Sequence, residues 1–190
     1  MPATPLHTVG AWAFLRLSGA RGSLVAAFLA SMTVDLEVPF YALYGLGGSD
    51  FDPYRARGIL HSLLGIFTLN ALVVWVLWRY LVPAFWRWST RRWPEERWYW
   101  FSGAYLRKEA PNGPVFYLST VVGGLSHLVL DLPSHSYNPV LWPYTADPLA
   151  IVPFSEDPMW DVAYMLLVFA LFLWMLRRHW GGWARGGVAA

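Results

Sequence analysis

Three long stretches of this chain, 60–78, 115–130 and 165–176, contain no Asp, Glu, Lys or Arg. With their flanks each is long enough to cross the roughly 30 Å hydrocarbon core of a bilayer as a helix. Only 14% of the residues are charged, against about 25% in a soluble domain, and the mean hydropathy is +0.36. The expected fold is therefore an all-α integral membrane protein, with residues 1–190 forming a single membrane-embedded domain. Many of the 13 tryptophans stand beside charged residues at segment ends, among them Trp78, Trp86, Trp88, Trp93, Trp98 and Trp180, the positions of an interfacial aromatic belt. Without cysteine there is no disulfide or thiolate site. The net charge of +2 is too small to suggest nucleic acid as a partner. The N-terminus lacks the basic region, apolar run and small-residue cleavage site of a secretory signal.

Glycine and proline divide the chain into a bundle of about five helices, expected near 5–17, 22–44, 58–82, 114–132 and 158–179. The first is short and the other four are long spans. Pro83 and Pro133 are expected to stop the third and fourth. Basic residues favour the cytoplasmic side, and an inner-membrane orientation with the N-terminus outside and the C-terminus inside places every Lys and Arg except Arg55 and Arg57 in the cytoplasm. Segment 85–113, rich in Trp and Arg, is then expected to be a cytoplasmic loop lying along the interface. It is also the candidate surface for membrane-protein partners.

Ionisable side chains inside such segments are costly and mark functional sites. His7, His61, His127, His135, Asp35 and Asp131 all lie at or within apolar segments, and in the expected topology all six fall in the outer half of the bundle. Asp35 is about nine residues below the outer end of its helix, so roughly 14 Å deep. His127 and Asp131 are four residues apart and project from one helix face, a spacing with which two side chains can grip one ion. Pro133 lets the chain turn and bring His135 over the same face. Pro39 cannot donate to the carbonyl of Asp35, so the second helix is expected to kink there. Glu37 faces away from Asp35 on a regular helix and joins the site only through that kink. His179, beside Arg177 and Arg178, reads as interfacial. Histidine with carboxylate suits a divalent metal, zinc above all, as one or two ions.

The stretch 124–135, with His127, Asp131 and His135, followed by Leu141, Trp142 and Pro143, resembles the membrane-bound metal-dependent hydrolases, small integral membrane proteins allied to zinc-dependent phospholipase C. The likeness extends to 1–7 with His7, to 31–35 with Asp35 and to 61–65 with His61, and so spreads over about residues 1–150. It departs where the family often carries proline, here Val34, and where it carries a threonine before the histidine, here Leu60. The resemblance implies a metal-dependent hydrolase. Placed at the outer interface, such a site would take a lipid or lipid-linked phosphoester among the membrane lipids, with Asp131 or Glu37 as general base. Arg55 and Arg57 would receive the phosphate and Tyr137 and Asn138 would touch the head group. Two other classes fit the same features: a non-catalytic subunit of a larger membrane complex, with a structural metal or none, and a transporter or pigment-binding protein whose histidines are ligands.

Overall fold

Apolar stretches of this length satisfy their backbone only as helices once water is excluded, and helices are what the computed structural model contains. It describes residues 4–17, 23–44, 57–92, 113–133, 138–145 and 158–186. A short 3-10 turn, Thr4–His7, leads into α1 (Thr8–Leu17). The second rod is α2 (Leu24–Thr33), a 3-10 turn (Val34–Leu36) and α3 (Glu37–Tyr44). The third, α4 (63–92), runs without interruption through two π-helical stretches, Ile66–Asn70 and Leu77–Leu81. Then come α5 (Gly113–Asp131) and α6 (Pro158–Gly186). No strand occurs among the described residues. Leu63–Phe85, Gly113–Asp131 and Met159–Arg178 are long and apolar enough to cross a membrane.

The centre of the bundle is the α2–α5 interface, and small residues make it possible. Ala26, Ala27, Ala30 and Ser31 on α2 are buried, as are Ser119, Thr120, Gly123 and Gly124 on α5. The backbones approach so closely that a Cβ on Gly123 would lie 2.1 Å from the Ala27 carbonyl oxygen. Small side chains at helix contacts serve this end in membranes, where lipid offers no hydrophobic drive to associate. Polar side chains add direction. The Ser23 N–H donates to Ser119 Oγ at 2.9 Å, and Ser23 Oγ caps α2 by accepting from the Ala26 N–H at 3.2 Å. Buried Asn70, in the first π stretch of α4, donates to the Ala30 carbonyl at 3.1 Å and accepts from the Thr33 hydroxyl.

α6 lies at the margin. It packs on α1, where Tyr164, Val168 and Met175 meet Leu6, Val9 and Trp12, and Trp12 stands edge-on to Trp174 with ring centroids 5.3 Å apart. Only 11% of its membrane-spanning stretch is buried, and exposed Leu166, Leu167, Phe169 and Leu173 form an apolar outer face of the kind lipid covers. Its first turns reach the end of α5: Trp160 Nε1 donates to the Pro133 carbonyl at 3.1 Å and the Tyr164 hydroxyl to that of Leu130. A helix C-terminus leaves carbonyls without intrahelical donors, so α6 fixes the end of α5 where Asp131 sits.

Three boundaries differ from expectation. α4 starts at Leu63 rather than 58, because Ile59–His61 forms a separate 3-10 turn and Ser62 caps the helix through the Gly65 N–H at 3.0 Å. Pro83 does not stop α4: it closely follows the π-helical stretch Leu77–Leu81 inside the continuous helix, a local adjustment of the kind that accommodates proline in membrane helices. Residues 85–92, expected in the interfacial loop, are therefore helical, while 93–112 lie outside the described residues. α6 continues past 179 to Gly186.

Candidate metal centre

Four chain segments converge at one end of the bundle. The 3-10 turn at the base of α1 carries His7, the turn between α2 and α3 carries Asp35, the turn before α4 carries His61, and the last turns of α5 carry His127 and Asp131. Asp35, His61, His127 and Asp131 each offer a ligand atom, all within 4.8 Å of one another. The buried group can hold a metal ion. His61 and His127 are fully buried, and the Asp131 side chain is 1% exposed against 19% for Asp35.

The geometry at the two imidazoles fixes what faces the centre. His127 Nδ1 lies 2.7 Å from the Ser31 carbonyl, which only accepts, so Nδ1 carries the proton. His61 Nδ1 lies 3.0 Å from Glu37 Oε2. Glu37 already accepts from the Gly58 N–H at 2.8 Å and the Leu60 N–H at 2.7 Å, the pattern of an ionised carboxylate. In its neutral form each imidazole then presents a bare lone pair on Nε2, aimed inward, and neither Nε2 finds a hydrogen-bond partner. Opposite stand carboxylate oxygens, also acceptors. His127 Nε2 is 3.3 Å from Asp35 Oδ1 and 3.5 Å from Asp131 Oδ2, and His61 Nε2 is 3.5 Å and 3.8 Å from the same two atoms. Buried acceptors that face one another need a proton or a cation between them, and this geometry has room for either. Bonds of about 2.0–2.1 Å to a tetrahedral ion set neighbouring ligand atoms roughly 3.3 Å apart, close to the shorter of these separations.

The surroundings support the same frame. A ligating histidine usually gives its second N–H to a carboxylate or carbonyl, as His61 and His127 do here. Asp131 is braced on both oxygens, with His7 Nε2 at 3.1 Å from Oδ1 and Arg57 Nη2 at 2.9 Å from Oδ2. The His7 ring lies 4.0 Å from that of His127, centroid to centroid. Charge points the same way: among the described residues at the centre, three carboxylates (Asp35, Glu37, Asp131) face one guanidinium, Arg57. Burying unbalanced charge is expensive, and a dication makes good the difference. Arg57 sits outside the membrane-spanning stretches. Burial pulls its pKa down, which Asp131 above all opposes, and a guanidinium keeps its proton regardless.

Of the six ligands expected from sequence, the structure thus brings four into one group with His7 beside it. His135 lies outside the described residues, as do Arg55 and Tyr137. Three further residues singled out in the sequence are placed by the structure. Both Glu37 oxygens accept hydrogen bonds, and it clamps the 58–61 turn to α3. Its approach follows from the 3-10 turn, which rotates residues two apart nearer to one face than an α-helix does. Arg57, expected to receive the phosphate, is 4% exposed and paired with Asp131 rather than standing free in an outer loop. Asn138 is fully buried, in a loop that closes over the end of α4 through the Leu63 N–H and the Val140 carbonyl at 2.9 Å. The Ser31 carbonyl is a backbone group with no sequence signal.

The family model described as YdjM inner membrane protein matches residues 6–190. The chain belongs to this family. The description states a location, the inner membrane, and no chemistry. No curated protein and no solved structure matches the chain.

Proposed function

We propose that the protein is a membrane-bound zinc hydrolase acting on a lipid or lipid-linked phosphoester at the outer face of the inner membrane. The observation that carries the metal is the inward convergence of two bare imidazole nitrogens and two carboxylate oxygens, with both Nδ1 protons held by partners outside the centre. A nitrogen–oxygen donor set without thiolate suits zinc better than calcium or magnesium, which prefer all-oxygen shells. The resemblance of the His127–Asp131 stretch to the membrane-bound metal-dependent hydrolases supports the same class. When bound, the ion supplies Lewis acidity toward a phosphoryl oxygen and acidifies water.

The chain's own residues account for the rest. Arg57 points to the phosphate. Its Nη2 is used by Asp131, but its Nε and Nη1 are buried without a hydrogen-bond partner, and a guanidinium presents such donors in a fork that matches phosphate oxygens. Asp131 orients His7, and the pair handles the proton: water adds to phosphorus, the ester P–O bond breaks, and the proton passes to the departing alkoxide. Glu37 and the Ser31 carbonyl hold the two ligand histidines in one tautomer.

The test is elemental analysis of the detergent-purified protein beside His127→Ala, followed by phosphodiester hydrolysis. The expected result is near-stoichiometric zinc in the wild type, lost with the activity in the variant. A variant that keeps both metal and activity, or a wild type that holds no metal after zinc loading, overturns the reading.

A further inference from the structure

The four ligands are not equally enclosed, and the direction of the opening has chemical meaning. His61, His127 and Asp131 are shut in from three sides. The 57–61 turn is clamped by Glu37, the 138–140 loop is bonded to the start of α4, and the base of α1 lies against α6. Asp35 alone has substantial exposure, at 19% of its side chain. It sits on the second rod among Phe28, Met32, Leu36, Pro39 and Phe40. Relative to Phe28 these fall at i+4, i+8, i+11 and i+12, with Asp35 at i+7, the spacing of one helical face. All are half-buried or exposed, with Leu36 at 46% and Phe40 at 51%, while Ala27, Ala30, Ser31 and Val34 on the other side are buried. Among the described residues, the one exposed edge of the centre thus lies in an apolar face that carries no basic residue.

An opening that admitted a water-soluble ester would need a polar rim to wet it. This face instead offers aliphatic and aromatic carbon leading to a carboxylate at the edge of the centre. We infer that the centre opens sideways, past Asp35, onto the acyl-chain region of the membrane, so that its substrate is an amphiphile arriving from within the bilayer, with its chain along Phe28, Met32 and Phe40 and its phosphate toward Arg57. The direction of the opening stands on geometry; the identity of the polar group rests on the hydrolase reading.

The absence of native cysteine makes the test direct. Leu36→Cys and Phe40→Cys are labelled with a bimane fluorophore and placed in vesicles whose phospholipid carries bromine on its acyl chains. Leu166→Cys, on the exposed face of α6, sets the scale for lipid contact. The expected result is quenching at Leu36 and Phe40 comparable to that at Leu166, and no reaction of the unlabelled cysteines with a charged maleimide supplied on both sides of the membrane. Probes that stay bright in brominated lipid while their cysteines react with the charged maleimide reveal an aqueous mouth and overturn the inference. A protein that is quenched as expected but hydrolyses no phosphoester keeps the sideways opening and loses only the hydrolase reading. With active enzyme, Leu36→Lys is expected to raise KM for a long-chain phosphodiester by a larger factor than for a short-chain soluble one; an equal effect on both rules out the lateral route.

Discussion

The proposed metal centre depends on a contact about one helical turn away from it, which a single methyl group can test. In Gly123→Ala the new Cβ would stand 2.1 Å from the Ala27 carbonyl oxygen and 2.9 Å from Ala27 Cα. A carbon–oxygen contact settles near 3.3 Å, so α2 and α5 must part by about 1 Å. Both neighbours are backbone, and no side chain can turn aside to absorb the change. The displaced α2 carries the Ser31 carbonyl that holds His127, and Asp35 follows in the next turn. Metal sites tolerate about 0.2 Å in their ligand distances. Overpacking costs roughly 1–3 kcal/mol, and if that strain falls on the bound state, zinc affinity drops about five- to 150-fold. Gly10→Ala is the comparison, because its Cβ meets the Ser126 Cβ at 3.1 Å and the Leu130 Cδ1 at 3.2 Å, contacts too tight by only a few tenths of an ångström. Competition with a chromogenic zinc chelator in detergent measures both, with helicity by circular dichroism as the check on folding. A folded Gly123→Ala protein that binds zinc as tightly as the wild type refutes the reasoning, as does a Gly10→Ala protein that loses as much.

Glu37→Gln keeps the shape of the clamp on the 58–61 turn but removes its charge, and zinc affinity is expected to fall about 10–100-fold with helicity unchanged, measured by the same competition. In Asn70→Leu the Ala30 carbonyl loses a buried donor and the Thr33 hydroxyl loses Asn70 Oδ1, leaving these two groups their mutual bond at 3.2 Å, at about 0.5–1.5 kcal/mol for each hydrogen bond lost; a lower Tm in detergent with unchanged zinc stoichiometry is the expected outcome.

The helices were legible in the sequence because membrane solvent leaves little choice: the starts expected at Gly22, Pro114 and Pro158 fall within two residues of those of α2, α5 and α6, while α4 and α6 run on past their apolar cores. The gathering of His7, Asp35, His61, His127 and Asp131 at one end followed from placing those helices in alternating directions. What sequence could not supply was local rotation. Glu37 reads as facing away from Asp35 on an α-helix, and only the 3-10 turn at Val34–Leu36 lets the two flank His61, one on each ring nitrogen. The pairing of Arg57 with Asp131 was not legible, because it depends on how the 57–61 turn folds inward, a contact between residues 74 positions apart. The role of the Ser31 carbonyl has no side-chain signature at all.

The break between α2 and α3 also bears on how the protein is made. A rod carrying Asp35 and Glu37 is a poor membrane segment while alone, since a central aspartate costs about 2.5–3.5 kcal/mol on insertion. Ribosomal order delivers that rod, and then His61, well before His127 and Asp131. Until α5 arrives, the carboxylates have no complete set of neighbours and the rod has no glycine-lined surface to seat against. Insertion of the second helix is therefore finished by the fifth, and a chain truncated before residue 113 should leave its acidic segment at the membrane surface, within reach of quality-control proteases.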